Sequence, residues 1–206
     1  MGALHDLAGL APIVAARQDA GERAVFTNGC FDLLHLGHVA YLRAARALGD
    51  FLIVALNSDA STRRIKGPLR PLVAESERAE ILAALSYVDY VTIFDDNTAE
   101  RAVAALRPAV YVKGGDYAGG EHAQAGVTLA PDELRHLLAG DASTHPAHPA
   151  LAGLERRLPE ARVVAAYGGS VALLPYLPGH STTELIERIV SRYAKRDAAA
   201  PDPRDA

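Results

Sequence analysis

The sequence predicts an α/β fold in which a mainly parallel sheet is layered between helices. Three observations predict it. Short apolar runs alternate with longer amphipathic ones from Ala24 onward, the spacing leaves room for a helical crossover between successive runs, and glycine, proline and asparagine gather where runs end. Strand–helix–strand crossovers are right-handed and lay successive strands parallel, so helices cover both faces of the sheet.

The elements follow in order. Before Ala24, the residues Leu4, Leu7, Leu10, Ile13 and Val14 recur at helical spacing, so residues 1–23 are expected as an N-terminal helical extension. Ala24–Thr27 reads as a buried strand, Gly37–Leu48 as a helix, Phe51–Leu56 as a strand and Glu75–Leu85 as a helix. Val88–Phe94 then reads as a strand, Thr98–Leu106 as a helix closed by Pro108, and Ala109–Val112 as a strand. The rhythm breaks after Tyr117. Residues 121–156 are expected as an insertion, a lid or a homodimer contact, with one short helix over Pro131–Leu138 and loop chemistry from Ser143 to Pro149. The alternation resumes with Ala161–Ala166, a turn at Tyr167-Gly168-Gly169 and Val171–Leu174. A last helix, starting at Ser181 or Thr182, is expected to bury Leu185, Ile186, Ile189, Val190 and Tyr193. The Ala-, Pro- and Asp-rich residues 195–206 read as a frayed tail.

Composition narrows the function classes. With 206 residues, 50% hydrophobic and 22% charged, the chain is neither fibrous nor disordered. Its 21 Lys and Arg against 25 Asp and Glu give a net charge of -4, and without a basic run no nucleic-acid or anionic-membrane partner is expected. Cys30 stands alone, which excludes an internal disulfide or a Cys-rich zinc site and suits a reducing compartment. No leader pattern and no run of 18 apolar residues is present, so a cytoplasmic protein is expected.

In open parallel sheets ligands bind beyond the carboxyl ends of the strands, at a switch point. The loop after the first strand of the alternating pattern reads Thr27-Asn28-Gly29-Cys30-Phe31-Asp32-Leu33-Leu34-His35-Leu36-Gly37-His38. Gly29 is expected to permit a tight turn, and Gly37 to let a phosphate approach the backbone. His35 and His38 share one face of a helix's first turn, where unpaired N–H groups and the helix dipole favour an anion. A zinc pair would need a third ligand, which the sequence does not place, so no protein-bound metal site is expected. Cys30 reads as pocket wall, since nothing beside it marks a base.

This His-x-Gly-His after a Gly-x-Phe-Asp turn resembles the nucleotidyltransferase superfamily of cytidylyltransferases and related adenylyltransferases. Further segments in order, Asn57-Ser58-Asp59-Ala60-Ser61-Thr62, Lys66-Gly67, Arg70-Pro71, Arg78, Val112-Lys113-Gly114-Gly115-Asp116-Tyr117 and Ser181-Thr182-Thr183, resemble its D-glycero-β-D-manno-heptose 1-phosphate adenylyltransferase branch. The resemblance implies a Rossmann-like three-layer sandwich over residues 24–194. It also implies transfer of AMP from ATP to a sugar 1-phosphate, giving ADP-heptose and pyrophosphate, with Mg²⁺ accompanying ATP.

It implies roles as well. His35, His38 and Lys66 would be catalytic, contacting the triphosphate as charge builds on it. Asn28, Gly29, Cys30, Phe31, Gly37, Lys113, Gly114, Asp116, Tyr117, Ser181, Thr182 and Thr183 would hold the nucleotide, and Asn57, Asp59, Arg70 and Arg78 the second substrate. Beside these stand plainer readings: Lys66 and Arg70 on a solvated loop, and Arg78 paired with Glu75 or Glu77 on its own helix. Two departures from relatives are His180 before Ser181, and Ile186 where many carry Arg. A CTP-dependent glycerol- or ethanolamine-phosphate cytidylyltransferase and a non-catalytic nucleotide-binding protein are the alternatives. The aminoacyl-tRNA synthetases that share the His motif need a Lys-rich signature and a tRNA-binding region that are not seen here.

Overall fold

The computed structural model describes residues 2–114, 126–140, 151 and 153–194. Seven strands, β1 (Ala3–Leu4), β2 (Ala24–Gly29), β3 (Phe51–Asn57), β4 (Tyr90–Phe94), β5 (Val110–Gly114), β6 (Val127–Leu129) and β7 (Ser170–Leu174), form one sheet in the order β1-β4-β3-β2-β5-β7-β6. Every pairing is parallel except β6 with β7. The described helices are α1 (Leu7–Asp19), α2 (Leu36–Arg46), α3 (Asp59–Lys66), α4 (Glu75–Ala83), α5 (Glu100–Leu106), α6 (Pro131–Leu138), α7 (Leu154–Arg157), α8 (Glu160–Tyr167) and α9 (Thr182–Tyr193).

Alternation along the strands builds two cores. Ala24, Phe26, Phe51, Ile53, Ala55 and Tyr111 point to one face, where Leu10 and Val14 of α1, Val103 and Leu106 of α5, and Val164 of α8 meet them. Val25, Leu52, Val54, Leu56 and Val112 point to the other, against Leu42 of α2 and Leu82 of α4. All seven residues of β3 are buried, as a central parallel strand requires. This is the expected three-layer arrangement.

Local chemistry sets the boundaries. The Val88 N–H closes a turn on the Leu85 carbonyl and the Asp89 carboxylate accepts the Leu52 N–H at 2.8 Å, so β4 begins at Tyr90 rather than Val88. Ser58 caps α3, its Oγ accepting the Ser61 N–H at 2.9 Å, which turns an expected loop into a helix. The segment before Ala24 is joined to the sheet through β1, paired with β4, and through Leu10 and Val14, which have no exposure.

Two expectations are corrected. The insertion is not an appendage in its described part: β6 forms the sheet's edge on β7, and Leu129, Leu134, Leu137, Leu151 and Leu154 belong to the larger core. Val127 and Leu129 alternate as a strand, but three residues are too few to announce one by periodicity. The last helix does not bury its apolar stripe. Leu185 and Ile186 are half-buried, while Ile189, Val190 and Tyr193 are 45%, 56% and 57% exposed, because α9 adds nothing to either core and the sheet faces are already covered. The loop expected over residues 143–149 and the tail from Lys195 lie outside the described residues.

Candidate active site

The sheet order places the site. β2 pairs with β3 on one side and β5 on the other, so the chain reverses its direction of winding at β2 and a crevice opens where β2 and β5 end. Asn28 and Gly29 close β2; Lys113 and Gly114 close β5.

Asn28 is the hinge between them. Its Oδ1 accepts the Tyr111 hydroxyl at 2.7 Å and the Lys113 ammonium at 3.1 Å, which fixes the amide flip and leaves its NH2 pointing away from both. Lys113 is therefore a buried bracket for Asn28, at 9% exposure, and not a free surface cation. Gly114 leaves room for the Tyr176 ring of the segment after β7, which a Cβ at that position would displace. The expected contacts of Asp116 and Tyr117 lie outside the described residues.

Beyond β2 the backbone turns sharply. Gly29 stays extended as the strand's last residue, and the left-handed positions fall on Phe31 (φ 45°) and Leu33 (φ 52°), not on a glycine. Each such residue costs about 1–3 kcal/mol, so surrounding contacts must hold it. They do. Between the two, Asp32 is buried with its carboxylate accepting the Arg70 Nε–H at 2.5 Å and the N–H groups of Leu72 and Val73 at 2.9 and 3.1 Å. Burial alone would raise this carboxyl, but those N–H groups and the guanidinium outweigh it and hold the acid below its usual range.

The turn delivers the histidines. His35 is the N-cap of α2 and His38 lies in its first turn; the rings stack with centroids 3.9 Å apart. The His35 N–H points at His38 Nδ1, 3.4 Å away, so that nitrogen is bare and the neutral ring carries its proton on Nε2. Burial, with the neighbouring His35 adding to it, pushes His38 down to about 4, against the opposing pull of Asp32. Burial and His180 lower His35 too, opposed by Glu184. The Nδ1 atom of His35 is buried and makes no hydrogen bond. Both rings are thus neutral near pH 7 and poised to gain a proton or a partner when an anion arrives.

α9 completes the wall. Ser181 caps it, accepting the Glu184 N–H at 3.1 Å while Glu184 accepts the Ser181 N–H at 2.9 Å. The Thr182 hydroxyl donates to the Asp32 carbonyl at 3.0 Å and lies 3.5 Å from His35 Nε2. Gly37 is obligatory here: a Cβ would sit 2.6 Å from the His180 carbonyl and 3.0 Å from the His35 ring. The first turns of α2 and α9 therefore meet, and each helix start leaves N–H groups outside its intrahelical ladder.

The other expected residues divide. Arg78, the largest fully buried side chain, pairs with Asp59 at 2.6 Å and donates to the carbonyls of Cys30, Asn57 and Val73; it pairs with neither Glu75 nor Glu77. Asn57 donates to Ser61 Oγ at 2.9 Å. Asn57, Asp59, Arg70 and Arg78 are thus engaged with protein partners that hold the walls. Cys30 is half-buried behind the turn with its carbonyl on Arg78, and Thr183 is exposed on the first turn of α9. Lys66 is exposed at the last turn of α3. Sequence reasoning passed over Asp32, Tyr111 and Tyr176. The Phe-Asp within the turn was a usable signal for the first; nothing local marks the other two.

A parallel sheet with a His-x-Gly-His helix end at its switch point defines a nucleotidyltransferase-type site. A sequence profile described as cytidylyltransferase-like matches residues 26–188, and the chain belongs to that family. It is 45% identical over 186 residues to the bifunctional protein HldE of Geobacter sulfurreducens, and 46% identical over 186 residues to that of Geotalea uraniireducens. Each match covers 90% of this chain and 31% of the relative, so the chain spans about a third of the length of these curated relatives. Among solved structures, the lipopolysaccharide core biosynthesis protein from Thermoplasma volcanium GSS1 is 33% identical with a TM-score of 0.43, covering 47% of this chain and 77% of that one.

Proposed function

We propose that this chain transfers AMP from ATP to a sugar 1-phosphate, heptose 1-phosphate by preference, forming ADP-heptose and releasing pyrophosphate. The observation that carries the reading is the stacked pair of neutral imidazoles held where two helix N-termini converge at the switch point. Such a site suits anionic oxygens whose charge grows during reaction. The choice of adenine and heptose rests on the motif order through Asn57, Lys113 and Ser181, and agrees with the kinship to the HldE proteins.

The sugar phosphate oxygen attacks the α-phosphorus in line, a new P–O bond forms, and the bond to the β-phosphate oxygen breaks. His38 Nε2–H donates to a phosphate oxygen, and His35 joins it as negative charge raises both rings' affinity for protons. The N–H groups of Thr182 and Thr183, outside the intrahelical ladder, receive the departing pyrophosphate. Exposed Lys66 reaches the same phosphates from outside when substrate is bound. Asn28 turns its NH2 toward nucleotide oxygens. The donors here are imidazole, hydroxyl and N–H, while the carboxylates of Asp32 and Asp59 face guanidinium groups. That set fits phosphate and not a resident hard cation; Mg²⁺ accompanying ATP would supply charge neutralisation, with Lys66 and the imidazoles adding theirs from the protein.

The test is pyrophosphate release with ATP or CTP across a panel of sugar and polyol phosphates. ATP with heptose 1-phosphate is expected to turn over fastest. Preference for CTP with glycerol or ethanolamine phosphate would replace this reading, and tight ATP binding without release under any condition would make the chain a nucleotide-binding protein.

A further inference from the structure

Asp32 lies between the end of β2 and the histidines, and the nucleotidyl-transfer step as described does not use it. Its side chain has 0% exposure, yet three donors keep it charged: Arg70, Leu72 and Val73, all from the segment between α3 and α4. Its own carbonyl accepts the Thr182 hydroxyl from α9. That hydroxyl is in turn the group 3.5 Å from His35 Nε2. The residues on either side, Phe31 and Leu33, are the two non-glycine residues of this turn with left-handed backbone. A turn of that shape does not persist by itself. One residue therefore ties three distant segments together and holds the strained turn that aims the His pair. Its charge also opposes the effect of burial on His38.

We infer that Asp32 is a positioning residue, which fixes the His35 and His38 rings for the phosphates and couples their placement to the Arg70 segment and to the first turn of α9. It touches no reacting atom; it acts through the turn and through Thr182. The inference rests on the nucleotidyl-transfer reading for its catalytic consequence, though not for the placement of the rings.

Asp32→Asn keeps the shape but turns one acceptor into a donor facing N–H groups, so the latch opens. Pyrophosphate release by this variant is expected to show kcat lowered about 100-fold, as misplacement by about 1 Å can do, with KM for ATP changed far less. Thr182→Val should lower kcat by a smaller factor, and the double variant should lose less than the product of the two, because both open one link. Asp32→Glu should recover part of the loss.

Ring ¹⁵N signals of His35 and His38, read in the absence of nucleotide, should shift in Asp32→Asn. They should stay in place in Leu106→Ala, a core variant on the opposite face of the sheet with a comparable loss of Tm. If Asp32→Asn does not fold, Arg70→Met and Thr182→Val carry the same two measurements. Wild-type kcat, or unshifted ring signals, in the folded variants would overturn the inference. A wild-type chain that released no pyrophosphate would overturn the transfer reading alone, and the ring signals would then decide this one: shifted supports it, unshifted overturns it.

Discussion

His38 is held as a neutral ring beside two helix N-termini, and on the proposed reading that tension is what its chemistry would use. A donor whose hydrogen bond strengthens as phosphate charge develops contributes to the rate and little to ground-state binding. His35→Ala and His38→Ala are each expected to lower kcat by about 10²–10³, or about 2.7–4 kcal/mol, with a smaller change in KM for ATP. Steady-state kinetics check it; near-normal turnover in both would remove the histidines from the reaction. The same burial has a cost in acid. Between about pH 6.5, the ordinary imidazole value, and about pH 4, that of His38 in the fold, the unfolded chain binds more protons than the native one. Stability from this group is therefore complete above the upper limit and declines as pH falls through the window. Thermal melts of the wild type should show Tm falling over that range, and His38→Asn should show a shallower fall. Equal slopes would mean that His38 is not buried neutral.

At the scale of elements, the sheet's far edge carries the clearest test. β6 and α6 come from a stretch with few apolar groups, yet Leu134 of α6 has no exposure and packs with α8 and β7 in the larger core. Leu134→Ala is expected to cost about 2–5 kcal/mol, the range for a fully buried leucine, whereas truncating a lid residue would cost almost nothing. Urea unfolding measures the difference. Periodicity made Pro131–Leu138 legible as a helix, but nothing in those eight residues said what it packs on. The apolar stripe of α9 shows the converse failure. Its spacing is that of a buried helix, and only the location of the other helices shows that most of it faces outward. The spans of β2, β3 and β5 are legible to within two residues, because their buried starts are apolar; each strand runs on past that signal into polar or glycine residues, Asn28-Gly29, Asn57 and Lys113-Gly114.

Across the whole molecule, two cores on opposite faces of one sheet make the chain a single cooperative body, at least through its described residues. No described helix is long and apolar enough to cross a membrane. Removing residues 121–156 and bridging the gap with a Gly-Ser linker would strip β6 from β7 and uncover α8, exposing Val171, Leu173 and Val164. Loss of the cooperative thermal transition is expected, measured by calorimetry; a deletion that still melted cooperatively near the wild-type Tm would mark the segment as separable after all.

By itself the sequence determined the alternation of strands and helices, the turn that ends in two histidines, and the cap that starts α9, because each is written in neighbouring residues through a backbone period or a local hydrogen bond. The tertiary structure decided which charges remain available. Arg70 and Asp32 are 38 residues apart, Thr182 and Asp32 are 150, and Arg78 reaches Cys30 across 48. A buried ion finds its partner wherever the fold brings one, and no local pattern records that meeting. Asn57, Asp59, Arg70 and Arg78, expected at the second substrate, accordingly meet protein partners that only the fold brings within reach.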